Sequence, residues 1–80
     1  MYALEITTEF RRRAKSLHPK RYKQIHLHIF SLQQNPHPTT AVIVDIETYR
    51  LRVGPYLVTY KVDDAARRVQ LLFLEEVEKE

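Results

Sequence analysis

The sequence predicts an α+β domain, two N-terminal antiparallel helices packed on a small antiparallel sheet in the order β-α-α-β-β-β. Three observations predict it. The stretch YRLRVGPYLVTYKV, residues 49–62, alternates on both sides of a Gly-Pro break. Two successive stretches before it each carry one apolar stripe at helical spacing. The runs AVIVDI and RVQLLFL, on either side of it, are rich in β-branched and large apolar residues, the composition of strands.

The alternating stretch reads as a hairpin. Strand side chains repeat with period two, so Tyr49, Leu51 and Val53 share one face, and Arg50 and Arg52 the other. Beyond the break, Tyr56, Val58, Tyr60 and Val62 continue the first face and Leu57, Thr59 and Lys61 the second. With Gly54 and Pro55 as the loop, Val53 pairs with Tyr56, Arg52 with Leu57 and Arg50 with Thr59. One face is then aromatic and aliphatic, and the other carries three cations.

Tyr2 to Ile6 alternates weakly and reads as a first strand. Thr7 or Thr8 is then the N-cap of a helix, with Glu9 in the first turn, where the helix dipole favours an acid. Phe10, Ala14 and Leu17 make its apolar stripe, and His18-Pro19 breaks it. A second helix runs from Lys20 to about Gln34. Its stripe is Tyr22, Ile25, Ile29 and Leu32, widened by Phe30, and Asn35-Pro36-His37-Pro38 ends it. Residues 41–46 read as a strand buried for most of its length, and residues 63–66 as a turn. In the last strand, residues 68–74, Val69, Leu71 and Phe73 share one face, and Gln70, Leu72 and Leu74 the other. Glu75, Glu76, Glu78 and Glu80 read as a frayed acidic tail.

Size and composition bound the function. Eighty residues at 44% hydrophobic and 29% charged are one globular domain, residues 1–80, with a thin core. No apolar run approaches a membrane span and the N-terminus does not read as a signal peptide, so no membrane role is expected. With no cysteine there is no disulfide, no thiol nucleophile and no thiolate metal site, and a reducing cytoplasm is the natural location. One glycine excludes a phosphate-cradling loop. His26 and His28, two apart on a helix, point to different faces, and neither His18 nor His37 has an obvious acidic or nucleophilic partner. No metal or organic cofactor is implied.

The charge is uneven. Arg11, Arg12, Arg13, Lys15, Lys20, Arg21 and Lys23 follow one another without an intervening acid. Such a run fits a polyanion or an acidic partner protein; a solvated helix face is the ordinary reading of any one member. Arg50 and Arg52, about 7 Å apart along a strand, can converge on one phosphate or on neighbouring ones, with Lys61 on the same face. The plain alternative is a sheet face that carries charge because it meets water.

At this point the pattern resembles a known family. Leu32, Asn35 and Pro36, then Tyr49-Arg50-Leu51-Arg52-Val53-Gly54, Tyr56, Val58, Tyr60 and Asp63-Asp64 are similar to the RelE/ParE superfamily of toxin–antitoxin toxins. The resemblance spans nearly the whole chain and implies the RelE-like fold. For RelE-like members it implies cleavage of messenger RNA on the ribosome, the RNA's own 2′-hydroxyl attacking the adjacent phosphate. ParE-like members act instead on DNA gyrase, and both kinds are neutralised by a cognate antitoxin protein. Carried over, Arg50 and Arg52 take the two basic positions of the first hairpin strand, and with Lys61 and Tyr56 they make the expected catalytic set. The basic run adds Arg11, Arg12 and Lys15 to Arg50 and Arg52 as the expected nucleic-acid-binding set. The chain departs from the nuclease pattern in three places. Leu57 stands where the nucleases carry an arginine, glutamates stand where they carry basic and aromatic C-terminal residues, and the apolar AVIVDI stands where they are usually polar or basic.

Val42, Ile43 and Val44 present more apolar surface than one small sheet face readily hides. Either the two helices cover these strands, or a partner, such as a second copy in a homodimer, covers AVIVDI or the LLFL strand.

Overall fold

A computed structural model describes residues 1–77. Strand β1 (Ala3–Ile6) leads into helices α1 (Thr8–Lys15) and α2 (Pro19–Gln34). Strands β2 (Val42–Ile43), β3 (Thr48–Val53), β4 (Tyr56–Asp63) and β5 (Arg68–Glu76) follow. The sheet order is β1-β5-β4-β3-β2. Every pairing is antiparallel except that of β1 with β5, which is parallel; the chain leaves β1 through both helices, runs β2, β3 and β4 as an antiparallel set, and returns as β5 beside β1.

Local chemistry fixes the helices. The Thr7 hydroxyl accepts from the Phe10 N–H at 3.2 Å, capping α1, and donates to the Leu72 carbonyl at 3.0 Å, which ties the helix start to β5. The break at His18-Pro19 is a cap as well: His18 Nδ1 accepts from the Lys20 N–H, and Pro19 occupies the first turn, where no N–H is needed. One face of each helix packs on the sheet. Phe10, Ala14, Ile25, Ile29 and Leu32 meet Leu51, Val53, Tyr56, Val58, Tyr60, Val62, Val69, Leu71 and Leu74 in one core.

The β3–β4 hairpin has the expected register, Val53 opposite Tyr56, Arg52 opposite Leu57 and Arg50 opposite Thr59. Gly54 sits at φ +59°, the positive value that Pro55 could not supply.

Four expectations are corrected. The AVIVDI run is not buried: only Val42 and Ile43 are strand, at the sheet edge beyond the helices, and Ile43 and Ile46 are 69% and 93% exposed. Its β-branched composition records strand propensity, whereas burial depends on place in the sheet. Second, Tyr22 and Phe30 lie outside the buried stripe of α2, since the sheet reaches only Ile25, Ile29 and Leu32. Third, a bulge opposite Thr59 and Tyr60 inserts Leu72 into β5. An extra residue reverses the alternation, so Leu74 joins Val69 and Leu71 in the core and Phe73 turns outward. Fourth, Glu75 and Glu76 are not frayed: they end β5, paired with Leu57 and Tyr56. Glu78 and Glu80 lie outside the described residues.

Candidate nucleic-acid interface

Both helices cover one face of the sheet, and among the described residues no element covers the other. Cross-strand neighbours point the same way, so the register lays out this face in rows. Arg52, Leu57 and Glu75 form one row across β3, β4 and β5, and Arg50, Thr59 and Phe73 the next. Thr48, Lys61 and Gln70 form the third, and Val42 of β2 extends the middle row beside Arg50. Thr59 is only 7% exposed although it faces outward, hemmed by its neighbours on both sides.

Arg50 and Arg52 are exposed and about 7 Å apart along β3. Among the described residues Arg50 has no carboxylate within ion-pair distance. Arg52 donates from Nε to the Gly54 carbonyl at 2.7 Å, which holds its guanidinium by the hairpin turn. Lys61 Nζ lies 3.9 Å from a Glu47 carboxylate oxygen, an exposed pair that constrains it little. Phe73, 52% exposed, stands two interstrand spacings from Arg50, roughly 10 Å. This face can hold phosphate on its cations and a base against an aromatic ring.

The remaining expected site residues lie elsewhere. Tyr56 is 7% exposed, on the helix side with the core, and does not share a face with Arg50. Arg11 and Lys15 border the groove between α1 and α2, and Arg12 pairs with Glu9 at 3.6 Å. The helices lie across the sheet from Arg50 and Arg52, so the five expected nucleic-acid contacts form no single patch.

The helix side holds a polar cluster that sequence spacing hid. His37 Nε2 lies 3.0 Å from Asp64 Oδ1, and the Tyr2 hydroxyl donates to that same oxygen. The acidic partner that His37 lacks in sequence is therefore Asp64, 27 residues away, brought in by the β4–β5 turn. The His37 ring stands edge-on to Tyr49, which stacks on Tyr60 at 5.6 Å, and the Tyr60 hydroxyl donates to the Pro36 carbonyl at 3.0 Å. The Tyr2 hydrogen bond, with that of His37, holds the Asp64 carboxyl below its ordinary value. Burial, with the nearby Tyr49, pushes the Tyr60 phenol up to about 12. The cluster clamps the loop after α2 to the sheet. Among the described residues, no group of three histidines and carboxylates is placed to hold a metal ion, and no helix is long and apolar enough to cross a membrane.

Two helices on one face of this five-stranded mixed sheet, with a cationic hairpin on the other, make the RelE-type fold. The chain superimposes on the RelE–RelB complex of Pyrococcus horikoshii at a TM-score of 0.84 and 22% identity, covering 99% of this chain and 98% of that one. For the RelBE2 toxin–antitoxin complex of Mycobacterium tuberculosis the TM-score is 0.82 at 24% identity, with 94% and 96% covered. Isolated RelE toxin of E. coli gives 0.86 at 14%, covering 100% of this chain and 88% of that chain. No protein-family model and no curated protein sequence matches the chain.

Proposed function

We propose that this chain is the toxin of a type II toxin–antitoxin pair, RelE-like, acting on messenger RNA in the cytoplasm and neutralised by a cognate antitoxin protein. The observation that carries the reading is the open sheet face, where Arg50, Arg52 and Lys61 stand in the fold of the RelE toxins. On this face the two arginines bind the scissile phosphate and its neighbour, Lys61 adds charge, and Phe73 stacks a base. Cleavage forms a P–O2′ bond and breaks the P–O5′ bond; a proton leaves the 2′-hydroxyl and one is delivered to the departing 5′-oxygen. The arginines stabilise the charge that gathers on phosphorus oxygens in between. Tyr56, held in the core, contributes to the shape of β4 and not to the chemistry.

A second reading has its own observation. Leu57 and Glu75 share the row of Arg52, so an apolar side chain and a carboxylate stand where phosphate would sit. That favours a toxin fold that acts by docking a protein, as ParE-like members do on gyrase.

Induced expression separates the two. Growth arrest relieved by the neighbouring small open reading frame is expected. In arrested cells, labelled amino-acid incorporation falls before labelled thymidine does, and messenger fragments carry 2′,3′-cyclic phosphate ends. The double substitution Arg50→Ala/Arg52→Ala then abolishes arrest. If thymidine incorporation falls first and the double variant remains toxic, the gyrase-like reading replaces the nuclease. No arrest from a folded protein overturns both.

A further inference from the structure

Attack by a 2′-hydroxyl moves two protons. Because the attacking and leaving oxygens lie in line through phosphorus, the base and the acid must stand on opposite sides of the phosphate. The face that carries Arg50 holds one group for each side. Glu75 is in the first row, with Arg52 and Leu57, and Lys61 in the third, with Thr48 and Gln70. The two therefore flank the middle row of Arg50, Thr59 and Phe73. The bulge at Leu72 is what puts Glu75 there. Uninterrupted alternation from Val69 and Leu71 would turn residue 75 toward the core; the extra residue reverses it, and Glu75 is exposed on the arginine side. Bulges re-aim side chains in this way beside active sites.

We propose that Glu75 is the general base of the cleavage, with Lys61 opposite it as the acid, an assignment that rests on the nuclease reading. With Arg50 on the scissile phosphate and Arg52 on the phosphate 5′ to it, the ribose between them carries the attacking hydroxyl and lies on the first-row side. The Glu75 carboxylate takes the 2′-hydroxyl proton as the P–O2′ bond forms. The Lys61 ammonium gives a proton to the 5′-oxygen as the P–O5′ bond breaks. Proton exchange with water then returns both groups to their charged forms.

Spacing and partners agree with these roles. Glu75 and Lys61 are separated by four residues along β4 and one interstrand spacing, about 14 Å between Cα atoms. An extended glutamate and an extended lysine reaching over the middle row span that gap with a phosphoryl group between them, hydrogen-bonded at about 2.8 Å on either side. Among the described residues, Glu75 makes no hydrogen bond or ion pair, so its carboxylate is available. Strand β1 ends at Ile6, opposite Leu71, and leaves the far half of β5 without a neighbour on that side. There a depression of about 430 Å³ opens beside Phe73 and Glu75, bounded by Glu9 and Arg13 of α1, with room for a ribose and its base. The other carboxylates near this face are misplaced for the task. Glu76, opposite Tyr56, belongs to the helix side. Glu5 and Glu47 lie at the third-row end, and Glu47 is beside Lys61.

Single-turnover cleavage of a short messenger held on ribosomes tests the assignment. Glu75→Gln is expected to slow cleavage by about 100-fold to 10,000-fold, the usual contribution of a general base. Its far-UV circular dichroism stays native, and its affinity for a messenger with 2′-deoxyribose at the cut site does not fall. The wild-type rate rises with pH along a limb that Glu75→Gln loses, which a merely structural role would not produce. A messenger with sulfur in place of the 5′-oxygen sorts the two protons, because a thiolate leaves without protonation. It is expected to restore Lys61→Ala and not Glu75→Gln. Glu75→Gln that cleaves at the wild-type rate and keeps the limb overturns the assignment. So does a sulfur substrate that restores Glu75→Gln as fully as Lys61→Ala. Wild-type cleavage that needs Arg50 but not Glu75 removes the base and leaves the nuclease reading standing. Wild type that cleaves no messenger ends both.

Discussion

The β3–β4 hairpin and the AVIVDI run before it are both rich in strand formers, yet they meet opposite fates. In the hairpin, Leu51, Val53, Val58, Tyr60 and Val62 are buried. In the run, Val42, Ile43, Val44 and Ile46 are exposed. Two things separate them. The hairpin alternates apolar with polar residues, which specifies a face, whereas V-I-V is apolar on both sides and specifies none. And β4 lies between two strands with helices above it, whereas β2 is the outermost strand. Strand propensity is local, but burial belongs to the neighbours.

Substitutions at matched apolar positions sharpen the contrast most. Leu71→Ala, at a fully buried site facing the helices, is expected to cost about 2–5 kcal/mol in urea unfolding. In so small a domain that is a large part of the total. Ile46→Ser is expected to change stability by less than about 0.5 kcal/mol, since its side chain already meets water. Comparable losses at both sites would mean that the edge is covered in the isolated chain, and the comparison would fail.

The next effect concerns the hairpin turn. A Cβ at residue 54 would meet nothing closer than the Gln24 side-chain amide at 3.8 Å, so Gly54→Ala tests conformation and not space. With φ at +59°, the substitution is expected to cost about 1–2 kcal/mol. A neutral result in thermal unfolding would show that the turn relaxes to another type.

Tyr60→Phe removes the bond to the Pro36 carbonyl and is expected to cost about 1 kcal/mol at neutral pH. It also changes the alkaline limb. The folded phenol ionises near 12, above its ordinary value of 10.0, so the wild type keeps this contribution below pH 10 and loses it as pH rises toward 12. The variant should show a shallower decline over that window, read as the difference between two urea-midpoint profiles. Parallel profiles would mean that the phenol reaches solvent in the folded state.

The smallest effect lies at the clamp. Asp64 has its carboxyl lowered in the fold, so its contribution is present above the unfolded carboxylate range and fades as pH falls through the folded value. Asp64→Asn should flatten the acid limb below about pH 4. An unaltered limb would mean that the bonds from Tyr2 and His37 do not persist in solution.

What the sequence determined by itself was everything written in local periodicity. Arg50 and Arg52 share an outward face because alternation puts them there, and Gly54-Pro55 closes the hairpin because its first residue accepts positive φ. Thr7 and Pro19 start the helices because their chemistry suits a helix N-terminus. Tertiary structure decided the rest. One inserted residue, Leu72, turned Phe73 toward the arginine face, and no period-two pattern can anticipate a bulge that depends on how β5 meets β4. His37 found Asp64 because the loop after α2 crosses to the β4–β5 turn, a contact between residues far apart in the chain. The basic helices were parted from the arginine pair by the sheet itself. Sequence assigns each side chain a direction on its own element; only the packing of elements decides what lies in that direction.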